Sequence, residues 1–397
     1  MTTYVGTPPL AGAVARPRIF TRAYTILLLV AAIGMALIAW RFVVGLGTAT
    51  AMSDGYPLGL WIVFDVVTGT ALACGGYALA FLVYIFNKGR YHPLVRPAIL
   101  TSALGYSIAG FSVMIDVGRP WLAWKIPIKV WTWNLNSVLL EVAVCIMAYV
   151  VVLWIELSPA FFEKYKDRGP EKLQVFSRRA LAFFDKALIW IIALGMLLPT
   201  MHQSSLGSLM MLAGPRLHPL WLTAFLPLFF LITCISMGYA VVVAEAAFSS
   251  RAFGHKAPVK MLLTLGRFAA AGTLLFVVAR FIDLAFRGRL AATMRFDLYG
   301  VMFWIETALF VIPFLMLMRR EQSLGRLLRA AMIVAFGGAV YRFDTFLVAF
   351  DPGPGWAYFP SVAEQLITIG LIAAEIAVYV AIVKYFPILG GAEGEAA

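Results

Sequence analysis

Uninterrupted apolar stretches of about twenty residues or more recur along the whole of this chain, and no other feature restricts its fold as severely. A stretch of that length crosses the ~30 Å hydrocarbon core of a bilayer as a helix. In lipid every backbone N–H and C=O must find a partner within the protein, which leaves only helices or closed barrels. Barrel strands read as ~10-residue segments of alternating polarity, whereas these runs are continuous, so helices are expected. Composition agrees: 62% of the residues are hydrophobic and 13% are charged, against roughly 25% charged in soluble domains. The net charge of +12 raises nucleic acid as a partner. The basic residues, however, sit in short connections between apolar runs, where they orient helices, so the expected partner surface is membrane lipid and not nucleic acid.

At roughly twenty residues per span, helices are expected near 23–46, 58–86, 95–117, 135–156, 185–211, 219–248, 259–285, 299–318, 326–349 and 362–386. The chain then divides into a tail (1–22), one polytopic membrane domain (23–386) and a second tail (387–397). Arg16, Arg18 and Arg22 precede the first run, which exceeds the roughly 7–15 residues of a signal-peptide core and is read as a retained helix. Lys and Arg in the N-terminal tail, the even-numbered connections and the C-terminus outnumber those in the odd connections about threefold, which makes both termini cytoplasmic in a bacterial inner membrane. The segment 118–134, with Trp121, Trp124, Trp131 and Trp133, is expected at the outer interface. Segment 157–184 reads as a long basic loop.

A weak internal repeat is also present. Tyr56-Pro57-Leu58 matches His218-Pro219-Leu220, and Gly76-Tyr77-Ala78 matches Gly238-Tyr239-Ala240, both at a spacing of 162. Gly110 and Gly272 keep that spacing, and Glu141 and Glu306 nearly do. Both copies start from the same side, so the fold class is all-α integral membrane: about ten transmembrane helices, arranged as two parallel four-helix bundles (58–211 and 219–349) flanked by one helix at each end.

An ionisable group within a span costs roughly 2.5–3.5 kcal/mol on insertion scales and marks function by default. By this topology Arg41, Asp65, Asp116, Glu141, His202, Arg280, Asp283, Glu306, Arg342, Asp344 and Glu364 fall in the outer half, with Glu156, Asp185, Glu245 and Arg267 nearer the cytoplasm and Glu375 at mid-depth. A cluster lopsided toward the outer face suits quinone chemistry, which takes up two electrons and two protons and needs acids, a hydrogen-bonding His or Tyr, and apolar walls. Glu141, after Asn134 and Asn136, is the candidate proton donor; Asp65, Tyr106 and His202, the last in a polar Thr200–Ser205 patch, are candidate neighbours. Transporter logic would use the same groups at the midplane. A structural reading stands beside each: Glu141 paired with Arg41, Arg280 with Asp283 three residues on, Glu245 solvated near a helix end. Cys74, Cys145 and Cys234 are too few for an iron–sulfur cluster, which takes four thiolates. Of the four histidines only His202 lies inside a run, while His92, His218 and His255 fall in connections, so a bis-histidine haem is not expected.

Four segments carry a resemblance: Tyr91-His92-Pro93-Leu94-Val95-Arg96-Pro97, Leu198-Pro199-Thr200-Met201-His202-Gln203-Ser204-Ser205, Val301-Met302-Phe303-Trp304-Ile305-Glu306 and Tyr358-Phe359-Pro360. With them the chain resembles the NrfD/PsrC family, most narrowly the HybB-type membrane subunits of periplasmic [NiFe] hydrogenases. The resemblance implies a quinone-reactive anchor that takes electrons from a periplasmic ferredoxin-like iron–sulfur subunit, fed by the hydrogenase small and large subunits, and reduces menaquinone at the outer side of the first bundle. It also implies that Tyr106, Glu141, His202, Glu245 and Arg280 handle quinone or protons; Asp65 is added from its position. Members are often described as cytochrome b subunits, which the histidine count here opposes.

Overall fold

The computed structural model describes residues 20–254, 257–318 and 323–389; the tail expected at 1–22 lies almost wholly outside these, and that at 387–397 largely so. Among the described residues ten helices are long and apolar enough to cross a membrane: α1 (Arg22–Val44), α2 (Trp61–Ile85), α3 (Gly89–Asp116), α4 (Val138–Tyr165), α5 (Glu171–Met211), α6 (Leu226–Ala252), α7 (Val259–Phe286), α8 (Leu298–Leu317), α9 (Leu324–Val348) and α10 (Val362–Tyr385). The chain is an all-α polytopic membrane protein, and among the described residues no strand forms. All ten expected spans are present.

Hydropathy misjudged the connection between α4 and α5. Segment 157–184 is helical except for a turn around 166–170, closed by Gly169 at φ +90° and Pro170 at the start of α5. Hydrophobicity marks where lipid ends, not where helical hydrogen bonding does, and Glu171 in the first turn favours a helix start. The 41 residues of α5 make a helix of roughly 60 Å, so its basic N-terminal third projects beyond the bilayer. Within α4, Pro159 deprives the Ile155 carbonyl of its i→i−4 donor; the Ser158 hydroxyl supplies one at 2.7 Å.

α2–α5 and α6–α9 form the two bundles, and their seam runs along α2 and α6. There α2 breaks into a turn at Ala73–Cys74 between segments of wider, π-helical winding. A Cβ on Gly238 of α6 would lie 2.6 Å from the Cys74 carbonyl oxygen, so the two backbones are in direct contact, as small residues permit between membrane helices. The two flanking helices, first and last in the chain, pack on each other. α1 and α10 cross each other at Gly34 and Gly370, where a Cβ on Gly34 would be 2.7 Å from Gly370 Cα, and the pair leans on α2 and α3.

The apolar core is split by depth. One cluster, including Val66, Val67, Ala109, Ile146, Leu206, Phe230 and Phe346, fills the half nearer the start of α4. A second, including Ala71, Ala103, Leu153, Met237 and Val334, fills the half nearer its end. Between them lies a buried polar layer: Thr70, His202, Gln203, Thr233 and Arg342.

Candidate functional site

The polar layer sits where the two bundles meet. Polar side chains survive there because each finds a partner in place of water. On α5, His202 and Gln203 both turn to α2: His202 Nε2 is 3.2 Å from Thr70 Oγ1, and the Gln203 amide donates to the same oxygen at 2.9 Å. Thr70 donates its own hydroxyl to the Val66 carbonyl at 2.6 Å. His202 is fully buried, and its Nδ1 has no hydrogen-bond partner. The Tyr106 ring of α3 stands edge-on to the imidazole at 5.6 Å and edge-on to Tyr149 of α4 at 4.5 Å. Its hydroxyl lies 3.5 Å from Cys74 Sγ. Two of the expected residues, Tyr106 and His202, are therefore in contact at mid-depth of the first bundle.

Arg342, on α9, completes the layer and was not singled out as a site residue from sequence. Its fully buried guanidinium donates to the Val67 carbonyl (3.1 Å), Thr233 Oγ1 (3.3 Å), the Gly338 carbonyl (3.2 Å), the Phe230 carbonyl (3.3 Å) and Gln203 Oε1 (3.4 Å). One side chain thereby ties α2, α5, α6 and α9 together through neutral oxygens, with no ion pair to a carboxylate among the described residues. A lone arginine deep in a span was the only sequence signal; that carbonyls would satisfy it was not legible.

The remaining expected residues lie apart. Asp65 is buried near the start of α2, where its carboxylate accepts from Thr368 of α10 at 3.2 Å and lies within electrostatic reach of Glu375. Glu141 occupies the first turn of α4 at the same end of the bundle; among the described residues its carboxylate makes no hydrogen bond or ion pair, and Arg41, the partner considered for it, donates instead to the Val117 carbonyl at 2.8 Å. Glu245 is not solvated: it accepts from the Tyr379 hydroxyl of α10 at 2.6 Å, toward the opposite end of the bundle from Glu141.

Arg280 belongs to the second bundle. It pairs with Glu306 of α8 at 2.8 Å, not with Asp283. Asp283 is held by Arg287 one turn on and by Thr223 Oγ1 at 2.9 Å. Glu306 also accepts from Trp221 Nε1 at 3.2 Å, and the Arg280 guanidinium lies 4.4 Å above the Phe303 ring. Asp344 sits beside Glu306, carboxyl against carboxyl. Each bundle therefore buries its own polar centre.

Outside the spans, two loops close the end of the bundles that carries Glu141. The Tyr358 hydroxyl donates to Glu364 at 2.7 Å and accepts from the Leu60 amide at 2.6 Å; burial and the Glu364 carboxylate push this phenol well up from its usual range. His218 stacks on Tyr299 at 4.1 Å, and burial holds its imidazole below the usual range. Trp121 and Trp131 are exposed on the connection after α3, as expected of an interfacial segment.

The family model for polysulphide reductase NrfD matches residues 48–349, which takes in the seam, both polar centres and all but the flanking helices. The chain is a member of the NrfD/PsrC family. A probable Ni/Fe-hydrogenase 2 b-type cytochrome subunit of Escherichia coli (strain K12) is 42% identical over 368 residues, 89% of each chain. The integral membrane subunit of a menaquinone reductase from Nitratidesulfovibrio vulgaris is 27% identical over 248 residues, 60% of this chain and 56% of the relative. The first relative's description names a cytochrome, so the donors of this NrfD-family chain were tested against a haem. His202 is committed to Thr70 within the polar layer, His92 stands in the first turns of α3 against Tyr84, and His218 lies in a loop; His255 lies outside the described residues. These donors do not fit a bis-histidine haem, and among the described residues no group of three His, Cys, Asp or Glu is arranged to hold a metal ion.

Proposed function

We propose that this chain is the quinone-reactive membrane subunit of a respiratory hydrogenase complex in a bacterial inner membrane. In this reading it receives electrons from a periplasmic iron–sulfur subunit docked on its outer face, which is itself fed by the hydrogenase small and large subunits, and reduces menaquinone with proton uptake. One observation carries the reading: the Tyr106–His202 contact, with a buried imidazole nitrogen that no protein group satisfies, lies below two acidic groups at the outer end of the same bundle. The Thr70 hydroxyl proton goes to the Val66 carbonyl, so the neutral imidazole donates to Thr70 through Nε2–H and its Nδ1 is an acceptor; the hydroxyl of a reduced quinone ring is a donor of the right kind for it, since a buried polar atom left unmade costs about 1–3 kcal/mol. Glu141 acts as the proton donor to the reduced ring, with Asp65 beside the site. Arg280 acts at longer range, from its pair with Glu306, and Glu245 lies on the cytoplasmic side of proton supply. Relatives described as a hydrogenase 2 subunit and as a menaquinone reductase subunit support the donor and the substrate class respectively. The second of these also supports an alternative donor, another periplasmic oxidoreductase.

The test is hydrogen-dependent reduction of a menaquinone analogue by membranes carrying the complex, with wild type and Glu141→Gln. Wild type is expected to reduce the analogue. The variant is expected to lose that activity while keeping dye-linked hydrogen oxidation, which bypasses this subunit. Normal coupled rates in Glu141→Gln remove that residue from the mechanism; an intact wild-type complex with no coupled activity overturns the reading itself.

A further inference from the structure

Below the polar layer a groove opens between α3, α4 and α5, toward the end that carries the basic helix extensions. Tyr84, Arg96 and Phe184 line it, Asp185 stands at its exposed rim, and Glu156 faces into it. Arg96 is not the counter-ion of Glu156, because Glu163 engages it through two bonds of 2.6 and 2.8 Å. Among the described residues Glu156 makes no ion pair or hydrogen bond.

Its position against α5 is specific. Glu156 Oε2 lies 3.5 Å from where a Cβ on Gly195 would stand, so the carboxyl rests on bare backbone. Pro199, four residues on, has no N–H and removes the ladder donor from the Gly195 carbonyl. On α4 the same deficit is filled by Ser158; on α5 no such hydroxyl follows Gly195 at the corresponding place, which is Leu198. A helix turn lacking one of its ladder donors therefore lies against Glu156.

Hydroxyl groups occupy the height between Glu156 and His202. Tyr149 lies two turns above Glu156 on the same face of α4, roughly 10 Å along the axis, and within electrostatic reach of both Glu156 and Tyr77. The Tyr77 hydroxyl is 2.6 Å from Thr200 Oγ1, which donates to the carbonyl of Met196, next to Gly195. Above them the Tyr149 ring stands edge-on to the Tyr106 ring and the Tyr106 ring edge-on to His202, while the Tyr106 hydroxyl lies 3.5 Å from Cys74 Sγ.

We propose that this groove is a proton-uptake vestibule, with Glu156 its acceptor and the Tyr149 and Tyr106 hydroxyls the relay to the His202 site. The proposal rests on the quinone-reducing reading, which consumes two protons per quinone. Glu156 takes a proton from water in the groove and releases it upward. Each relay oxygen gains one proton and gives up another, the carboxylate is regenerated, and no electrons move. Water admitted from the groove spans the stretch beside Val152 and Leu153.

Two measurements test it. In the intact complex, Glu156→Cys is exposed to a membrane-impermeant methanethiosulfonate reagent in right-side-out and inverted vesicles; the native cysteines are all buried. Labelling from the cytoplasmic face alone is expected, and no labelling from either face overturns the vestibule. In parallel, Glu156→Gln and Tyr149→Phe are expected to slow hydrogen-dependent menaquinone-analogue reduction at least tenfold, with Glu156→Asp restoring most of the rate and dye-linked activity unchanged. Full coupled rates in both slow variants overturn the relay. Absence of coupled activity in the wild-type complex counts against the quinone reading alone, and the labelling result then decides the groove by itself.

Discussion

Removing the cation from the Arg280–Glu306 pair is expected to damage the second bundle more than removing the whole pair. Arg280 is 4% and Glu306 0% exposed, and their atoms meet at 2.8 Å. At an effective dielectric of about 20, unit charges about 4 Å apart attract by about 4 kcal/mol. Desolvating the two ions costs a similar amount, so the net worth of such a pair is near zero, whereas stripping one partner costs about 3–5 kcal/mol. Here the stranded group is worse placed than most. Arg280→Met leaves Glu306 held by the Trp221 indole at 3.2 Å, with the Asp344 carboxyl alongside. The single variant should therefore lose about 3–5 kcal/mol, while Arg280→Met combined with Glu306→Gln should recover most of that loss. Thermal unfolding of the purified complex in detergent, followed by loss of this subunit from the folded fraction, reads both. A single variant as stable as wild type, or a double variant no better than the single, refutes the argument from a buried uncompensated charge.

Two further outcomes follow from packing and hydrogen bonding. Gly238→Ala should destabilise the bundle seam by about 1–3 kcal/mol, because its Cβ would fall 2.6 Å from the Cys74 carbonyl oxygen, whereas Gly110→Ala, with only Ile146 Cγ2 at 3.6 Å, should be tolerated in the same unfolding assay. Thr70→Val should leave His202 Nε2 and the Gln203 amide without their shared oxygen, a loss of about 1–3 kcal/mol, measured by unfolding and by a raised KM for the quinone analogue.

How far the site was legible depended on the kind of partner each residue required. Tyr106 and His202 stood out as polar groups inside apolar runs, and they meet. Arg280 and Asp283 also stood out, but spacing along one helix suggested that they pair with each other; instead each is engaged elsewhere, Arg280 by Glu306 on α8 and Asp283 by Arg287. Glu156 was visible only as a charge near the cytoplasm. Its significance comes from Gly195 and Pro199 on a neighbouring helix, which sequence spacing does not bring to it.

The sequence by itself determined the helical class and the number of spans. Lipid forces every backbone group to be satisfied locally, so a run of apolar residues has one structural outcome and hydropathy reads it directly. It did not determine where α4 and α5 end, since helices continue in water without an apolar signature. It did not show that α1 and α10 cross at Gly34 and Gly370, or that Arg342 ties four helices through carbonyl oxygens. Only the tertiary structure decided these, because they depend on which helix faces meet. Within a bilayer that choice is made by close packing of small residues and by the need of each buried polar atom for a partner, and neither leaves a periodic trace in the chain.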